Sequence, residues 1–195
     1  MIGNFVPHPI NEIIKPKKVG RVVWITGLSG AGKSVLAVAL VARLRMVNNE
    51  IVLLDGDELR KVFGATSVNV HNYGRDKRMA LALQYAHLCE MLAKQGFTVV
   101  IATISLFKEV HAWNRENLQG YFEVHLRVPL EELRRRDPKG IYRRFDAGGI
   151  KDVAGLDPPI DEPNSPDWVL EFLPGQSVEE SANELLNQLK RRIPL

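Results

Sequence analysis

The chain has 195 residues and 45% of them are hydrophobic, so it is long enough for one α/β domain and too short for two ordinary ones. Its formal net charge is only +3, which provides no broad basic field for binding nucleic acid. A single cysteine excludes an internal disulfide and no apolar run approaches membrane-spanning length, so composition favours a cytoplasmic protein without a nucleic-acid or membrane partner.

The N-terminal 20 residues contain three prolines and the basic cluster Lys15-Pro16-Lys17-Lys18. Chain ends of this composition are often poorly ordered unless they pack on another surface. We therefore predict an N-terminal arm over residues 1–20 and one folded domain over residues 21–195.

Residues 27–34 have the complete GxxxxGKS pattern of a phosphate-binding loop. They follow an apolar run at 22–25 that predicts a buried strand, and they precede a predicted helix at 35–46. Glycines allow backbone N–H groups to approach phosphate oxygens, Lys33 supplies charge for the β- and γ-phosphates, and the Ser34 hydroxyl suits Mg²⁺. The predicted nucleoside triphosphate site consists of Gly27, Leu28, Ser29, Gly30, Ala31, Gly32, Lys33 and Ser34.

A second predicted strand at 51–54 ends at Asp55-Gly56-Asp57, the end of a strand at which open α/β sheets bind ligands. The third predicted strand, 97–102, ends without the acidic residue that binds metal in many P-loop ATPases. Asp57 is therefore the leading candidate to hold Mg²⁺ or to accept the proton of an attacking hydroxyl.

The other segments alternate between helix and strand. Residues 63–73 predict an irregular excursion, and a loop continuing to residue 166 is long enough to act as a lid. The pattern predicts a P-loop NTPase fold, a three-layer α/β/α domain with a mainly parallel five-stranded sheet and a lid at about 136–166. The remaining predicted elements are helices at 75–95, 107–118, 130–144 and 178–192 and strands at 121–126 and 168–172.

A phosphate-binding loop alone is compatible with a kinase, a hydrolase or a GTP-dependent switch. A switch needs an Asn-Lys-x-Asp motif, which the sequence lacks, and the DxxG match at 137–140 follows a helix instead of a middle strand. The lid region begins with basic residues, of which Arg136 and Lys139 flank an Asp-Pro turn. These two are the preferred cations for phosphoryl transfer, and we interpret most of the other basic side chains nearby as a solvated helix face.

Four segments resemble the adenylylsulfate kinases, at residues 27–34, 54–60, 104–105 and 136–142, within a similarity that runs from about 22 to 189. The resemblance implies Mg²⁺-dependent transfer of the γ-phosphate of ATP to the ribose 3′-hydroxyl of adenylyl sulfate, in sulfate assimilation. It also implies a catalytic or metal-linked Asp57, substrate contact by Arg60, and Ile104 and Ser105 in the acceptor site. Members of the family are often dimers, so a homodimer is a candidate assembly.

The departures from that family fall where the second substrate is expected to bind. Arg78 matches a family arginine, but Leu81, Leu83 and Gln84 replace an asparagine and two arginines, and Leu106 replaces a proline. Arginines are common at the positions of Lys108 and His111. A lost charge-assisted contact commonly costs about 1.5–3 kcal/mol, so the acceptor need not be adenylyl sulfate.

Residues 102–105, 113–117 and 121–124 also resemble a divergent branch that includes cytidine diphosphoramidate kinase. That resemblance implies a CDP-linked acceptor in capsule or polysaccharide modification. Two further alternatives stay open: a catalytically silent nucleotide-binding module, and a kinase for a non-nucleotide metabolite.

The site predictions form four groups. Lys33, Asp57 and Ser105 are the catalytic candidates, although no base is evident beside Ser105 for the phosphoserine intermediate assigned to the family. Arg136 joins the phosphate-binding loop in the ATP site, and Ser34 and Asp57 are the metal ligands. The acceptor site is predicted to contain Asp57, Arg60, Arg78, Ile104, Ser105 and Lys139.

Overall fold

A five-stranded parallel sheet in the order β2-β3-β1-β4-β5 organises the computed structural model, which describes residues 20–47, 50–64 and 74–192. The central strand is buried on both faces, and Val22, Trp24 and Ile25 have no exposed surface. Parallel strands covered by helices need such continuous apolar runs. The strands are β1 (Arg21–Thr26), β2 (Ile51–Asp55), β3 (Thr98–Ala102), β4 (Tyr121–Arg127) and β5 (Trp168–Glu171).

Helices cover both faces of the sheet and create two hydrophobic cores. They are α1 (Lys33–Arg45), α2 (Gly56–Val62), α3 (Arg75–Lys94), α4 (Lys108–Asn117), α5 (Leu130–Arg136), α6 (Ile141–Asp146) and α7 (Val178–Arg192). One core joins α1 and α7 to the sheet through residues such as Leu40 and Leu185. The other joins α3 and α4 through residues such as Ala86 and Val110. The predicted three-layer α/β/α architecture is confirmed.

The helices differ from the sequence prediction at two places in the chain. Helix α2 was not predicted; Asp55 caps it by accepting a 2.8 Å hydrogen bond from the Asp57 N–H. The single helix predicted over residues 130–144 is wrong, because α5 and α6 are separate helices. Asp137 ends α5 with a positive φ of 25°, and its carboxylate accepts hydrogen bonds from the N–H groups of Tyr142 and Arg143 at 3.2 and 3.1 Å.

The predicted lid region contains α6 and then, from residue 147 to residue 167, no helix or strand in this part of the described chain. The predicted N-terminal arm lies outside the described residues apart from Gly20, and so does most of the excursion predicted at 63–73. Within the described ranges, no helix has both the length and the apolar character that a bilayer crossing requires.

Candidate active site

The phosphate-binding loop connects β1 to α1 and is shaped by glycine. Gly27 has a φ of 146°, and a Cβ atom there would lie 2.7 Å from the carbonyl oxygen of Leu126. Gly32 has a φ of 96° and precedes α1, and it offers no side chain to cap the helix. The first N–H groups of α1 therefore have no side-chain cap at this position, an arrangement that suits a phosphate group.

Lys33 lies across this loop, and its ammonium group donates a 2.8 Å hydrogen bond to the carbonyl oxygen of Leu28. Burial lowers the pKa of Lys33 to about 7; the positive charges of Lys139 and Arg60 add to this effect, and Asp55 opposes it. The loop therefore lies in a positively charged environment, and a polyphosphate would supply the opposite charge.

Ser34 donates a 2.5 Å hydrogen bond to Oδ2 of Asp55, the last residue of β2. Helix α1 packs over β2, so its first turn lies near the carboxyl end of that strand. Hydroxyl and carboxylate oxygens are the hard donors that Mg²⁺ prefers, and Mg²⁺ usually takes only one or two protein ligands beside phosphate oxygens and water. The pair fits Mg²⁺. Sequence analysis missed Asp55, although its position as the acid that ends a parallel strand was a usable signal.

Asp57 in α2 contacts two cations. Its Oδ1 forms an ion pair with Arg60, one helical turn away, and its Oδ2 accepts a hydrogen bond from the ammonium group of Lys139. Lys139 belongs to the turn between α5 and α6, so this contact joins the lid region to α2. Burial, followed by the charge of Arg60, lowers the pKa of Lys139. The structure thus brings together three residues that the sequence predicted for the acceptor site.

A cavity of about 850 Å³ lies beside this cluster. Its walls are one face of α3, the turn at 103–107 and the lid segment at 148–160, with Arg60 and Ser29 also contributing. The predicted acceptor residues Arg60, Arg78, Ile104 and Ser105 line it, whereas Asp57 and Lys139 are outside the lining. Arg144 and Lys151 of the lid region also line the cavity and were not predicted as site residues.

Arg78 and Ser105 have distinctive environments in this cavity. Arg78 donates a 2.9 Å hydrogen bond from Nη1 to the carbonyl oxygen of Asp152, and its buried Nε has no hydrogen-bond partner among the described residues. Ser105 is buried with a positive φ of 30°, and its hydroxyl is 2.8 Å from that of Thr103. A positive φ at a serine is a strained conformation, and strain of this kind is often found at ligand sites.

The residues that depart from the family pattern do not all line the cavity. Leu81 and Leu106 line the cavity, whereas Leu83 and Gln84 do not. His111 lies outside the lining, with Nδ1 2.7 Å from a carboxylate oxygen of the buried Glu123. Only some of the substituted positions therefore face the space in which a second substrate would bind.

Arg136 is not part of the cavity lining. Its Nε donates a 2.7 Å hydrogen bond to Glu132, and its guanidinium group lies 4.8 Å from the ring centre of Phe172. Hydrogen bonds from Arg135 and Arg136 lower the pKa of Glu132 to about 2. The described contacts of Arg136 are therefore with Glu132 and with Phe172, the residue that follows β5.

The lid region packs against the phosphate-binding loop. The hydroxyl of Tyr142, a buried residue in α6, donates a 2.9 Å hydrogen bond to the carbonyl oxygen of Ser29. Gly155 packs so closely on the loop that a Cβ atom there would lie 2.8 Å from the side chain of Leu28. The position of the lid is therefore coupled to the backbone of the loop.

Comparison with known proteins identifies relatives over most of the chain. A family model described as adenylylsulphate kinase matches residues 19–171. The chain is 33% identical to the cytidine diphosphoramidate kinase of Campylobacter jejuni over 168 residues, which cover 86% of this chain and 95% of that protein. It is 36% identical to the adenylyl-sulfate kinase of Pseudomonas aeruginosa over 154 residues, with coverages of 78% and 76%.

One solved structure has a fold similar to that of this chain over most of both chains. It is the Mycobacterium tuberculosis APS kinase CysC in complex with AMPPNP and APS, with a TM-score of 0.79 and 33% sequence identity. The similarity covers 89% of this chain and 99% of that one.

Proposed function

Because the chain belongs to the adenylylsulphate kinase family of phosphotransferases that act on a hydroxyl group, we propose that it transfers the γ-phosphate of ATP to the ribose 3′-hydroxyl of an activated nucleotide. The observation that carries this proposal is the position of Asp57. Its carboxylate is held by Arg60, which lines the cavity, and by Lys139 of the lid region. A hydroxyl-bearing substrate in the cavity would approach this carboxylate.

In the proposed site, the phosphate-binding loop and the N-terminal end of α1 bind the triphosphate of ATP, and Lys33 contacts its β- and γ-phosphates. Ser34 and Asp55 would hold Mg²⁺, which neutralises charge on the phosphate oxygens when it is bound with the nucleotide. We assign the metal-linked carboxylate to Asp55 and not to Asp57, because Asp55 is hydrogen-bonded to Ser34 whereas Asp57 is paired with Lys139 and Arg60.

Asp57 would accept the proton of the acceptor hydroxyl as its oxygen forms a bond to the γ-phosphorus. The bond between that phosphorus and the bridging oxygen breaks at the same time, and ADP leaves with the electron pair. Lys33 and Lys139 would stabilise the negative charge on the transferred group. Positioning and electrostatics supply most of the rate in such reactions, so no covalent intermediate on Ser105 is required.

Two acceptors are supported by different relatives. Adenylyl sulfate is the acceptor that the Pseudomonas aeruginosa and Mycobacterium tuberculosis relatives suggest. Cytidine diphosphoramidate is the acceptor that the Campylobacter jejuni relative suggests, and that relative is matched over 95% of its length. The basic residues Arg60, Arg78, Arg144 and Lys151 in the cavity lining suit the anionic groups of either nucleotide.

Acceptor-dependent release of ADP tests the proposal. We expect adenylyl sulfate or cytidine diphosphoramidate to stimulate ADP release in the presence of MgATP. Lys33→Ala should lower that rate by about 100-fold or more, because it removes charge stabilisation of the transferred phosphate. Lys61→Ala is a matched control, since Lys61 is paired with Glu58 on the exposed surface of α2.

Other outcomes would favour the alternatives. Tight MgATP binding without stimulation by any acceptor would support a silent nucleotide-binding module. Stimulation by a hydroxylated metabolite that carries no nucleotide would support a kinase of another specificity. Full activity of Lys33→Ala would contradict the role proposed for Lys33.

A further inference from the structure

Asp161 of the lid region caps a helix that is distant in sequence. Phe107, the residue before α4, has no side chain that can cap the helix. The carboxylate of Asp161 instead accepts a 3.2 Å hydrogen bond from the N–H of Lys108, the first residue of α4. The N–H of Asp161 in turn donates a 3.0 Å hydrogen bond to the carbonyl oxygen of Leu106. Two reciprocal bonds therefore connect the end of the lid to the turn before α4.

Arg75 extends this connection to a third element. From the first turn of α3, it donates a 2.6 Å hydrogen bond to Oδ2 of Asp161, the oxygen that also accepts the bond from Lys108. It is also paired with Glu109 at 3.1 Å, and its guanidinium group lies 5.4 Å from the ring centre of Phe107. Both side chains are about one-third exposed, at 31% for Arg75 and 32% for Asp161, so water only partly screens their interaction.

The three segments joined by Asp161 are the three walls of the cavity. Pro158, Pro159 and Ile160 immediately precede Asp161 and line the cavity on its lid side. Leu106 and Phe107 line it on the side of the turn. The third wall is the face of α3, the helix that Arg75 begins. The contacts of Asp161 thus reach the elements that form all three walls.

We propose that Asp161 is a positioning residue for the acceptor: through Lys108 and Arg75 it holds the lid, the turn at 103–107 and α3 at the separation that fits the nucleotide acceptor. This proposal rests on the proposed function of the cavity. Asp161 is outside the cavity lining and makes no described contact with the phosphate-binding loop, so its effect falls on the acceptor and not on ATP.

Asp161→Ala and Asp146→Ala form a matched pair for the test. Both remove a lid carboxylate that is paired with an arginine and lies outside the cavity lining, but the partner of Asp146 is Arg134 of α5, whereas Asp161 contacts α3 and the start of α4. We expect Asp161→Ala to raise the KM for the acceptor by about tenfold and to leave the KM for ATP within about twofold, because the charge-assisted contact that is lost positions the walls of the acceptor cavity and not the phosphate-binding loop. Asp146→Ala should change neither.

Amide hydrogen exchange on the substrate-free protein provides a second readout that needs no activity. Asp161→Ala should accelerate exchange at 103–108 and 157–161, whereas Asp146→Ala should not. Unchanged exchange at these residues, or an equal rise in both KM values, would overturn the positioning role. If the wild-type protein shows no turnover with any acceptor, the proposed function fails, and hydrogen exchange still decides whether Asp161 connects the walls.

Discussion

At the level of single residues, two aspartates that are two positions apart face different partners. Asp55 accepts a hydrogen bond from Ser34, and Asp57 is paired with Lys139 and Arg60. We expect Asp55→Asn to raise the Mg²⁺ concentration needed for half-maximal activity. Asp57→Asn should lower kcat by about 100-fold with little change in that concentration, because it removes the proposed proton acceptor. A Mg²⁺ titration of both variants at saturating ATP measures the difference, and identical profiles would contradict the separate roles.

The buried histidine His125 in β4 should make the stability of the protein depend on pH. It is 3% exposed, its Nδ1 has no partner among the described residues, and burial lowers its pKa from the ordinary value of 6.5. Below pH 6.5 the unfolded chain therefore binds more protons at this residue than the folded chain, and stability falls as pH decreases. The loss is at most about 1.4 kcal/mol per pH unit.

Urea unfolding at about pH 7.5 and about pH 5.5 measures this effect. His125→Gln should lose less free energy of unfolding between the two conditions than the wild-type protein loses. His87→Gln, at an exposed histidine of α3, should behave like the wild type. Equal losses in the wild type and His125→Gln would contradict the assignment.

The residues of the candidate site were only partly predictable from sequence. The phosphate-binding loop has a fixed spacing, so Lys33 and Ser34 could be identified directly. Asp57 could be identified as a candidate, but its pairing with Lys139 joins positions 82 residues apart. Asp55 was missed although it ends a predicted strand, and only the structure shows that α1 brings Ser34 to this carboxylate.

At the level of elements, α6 is connected to the phosphate-binding loop through Tyr142. Its hydroxyl donates to the Ser29 carbonyl at 2.9 Å, and burial, together with the charge of Asp137, raises its pKa to about 12, so it stays protonated at neutral pH. We expect Tyr142→Phe to raise the KM for ATP by about five- to tenfold, since one buried hydrogen bond contributes about 1 kcal/mol. The acceptor KM should change less.

Tyr121→Phe is the control for that variant. It also removes a buried hydroxyl, which donates a 2.9 Å bond to Glu123 in β4 and does not contact the loop. Steady-state kinetics with each substrate varied in turn would measure both variants. Equal effects of the two substitutions on the KM for ATP would show that the hydrogen bond to Ser29 has no special role.

The five strands and the helices α1, α3, α4 and α7 could be predicted because apolar runs and helical periodicity are local signals. The separation of α5 from α6 was missed although the Asp137-Pro138 turn was identified, and a proline usually ends a helix at the residue before it. Contacts such as that between Asp161 and Lys108 depend on how distant segments pack, which a single sequence does not encode in any local pattern.

At the level of the whole molecule, the two hydrophobic cores stabilise the sheet. The candidate site is formed by residues at the ends of the strands and helices. Lys33 is part of the site and not of either core. Lys33→Ala should therefore keep the wild-type Tm without ligand and lose most of the rise in Tm that MgAMPPNP causes. A ligand at about 100 times its Kd stabilises a protein by about 2.7 kcal/mol.

Thermal unfolding with and without MgAMPPNP measures this difference. A variant that unfolds at a much lower temperature without ligand would place Lys33 among the residues that stabilise the fold. An unchanged ligand-induced rise would show that Lys33 does not contact the triphosphate.

The central claim is that phosphate moves from ATP to the ribose 3′-hydroxyl of a nucleotide acceptor. Its most direct test is incubation with ATP labelled at the γ-phosphate and either adenylyl sulfate or cytidine diphosphoramidate, followed by NMR assignment of the labelled product. The proposed function predicts that the label appears on the 3′-oxygen of one of these nucleotides and that Asp57→Asn slows its appearance by about 100-fold. Label that is found only in inorganic phosphate, or that stays in ATP with both acceptors, would contradict it.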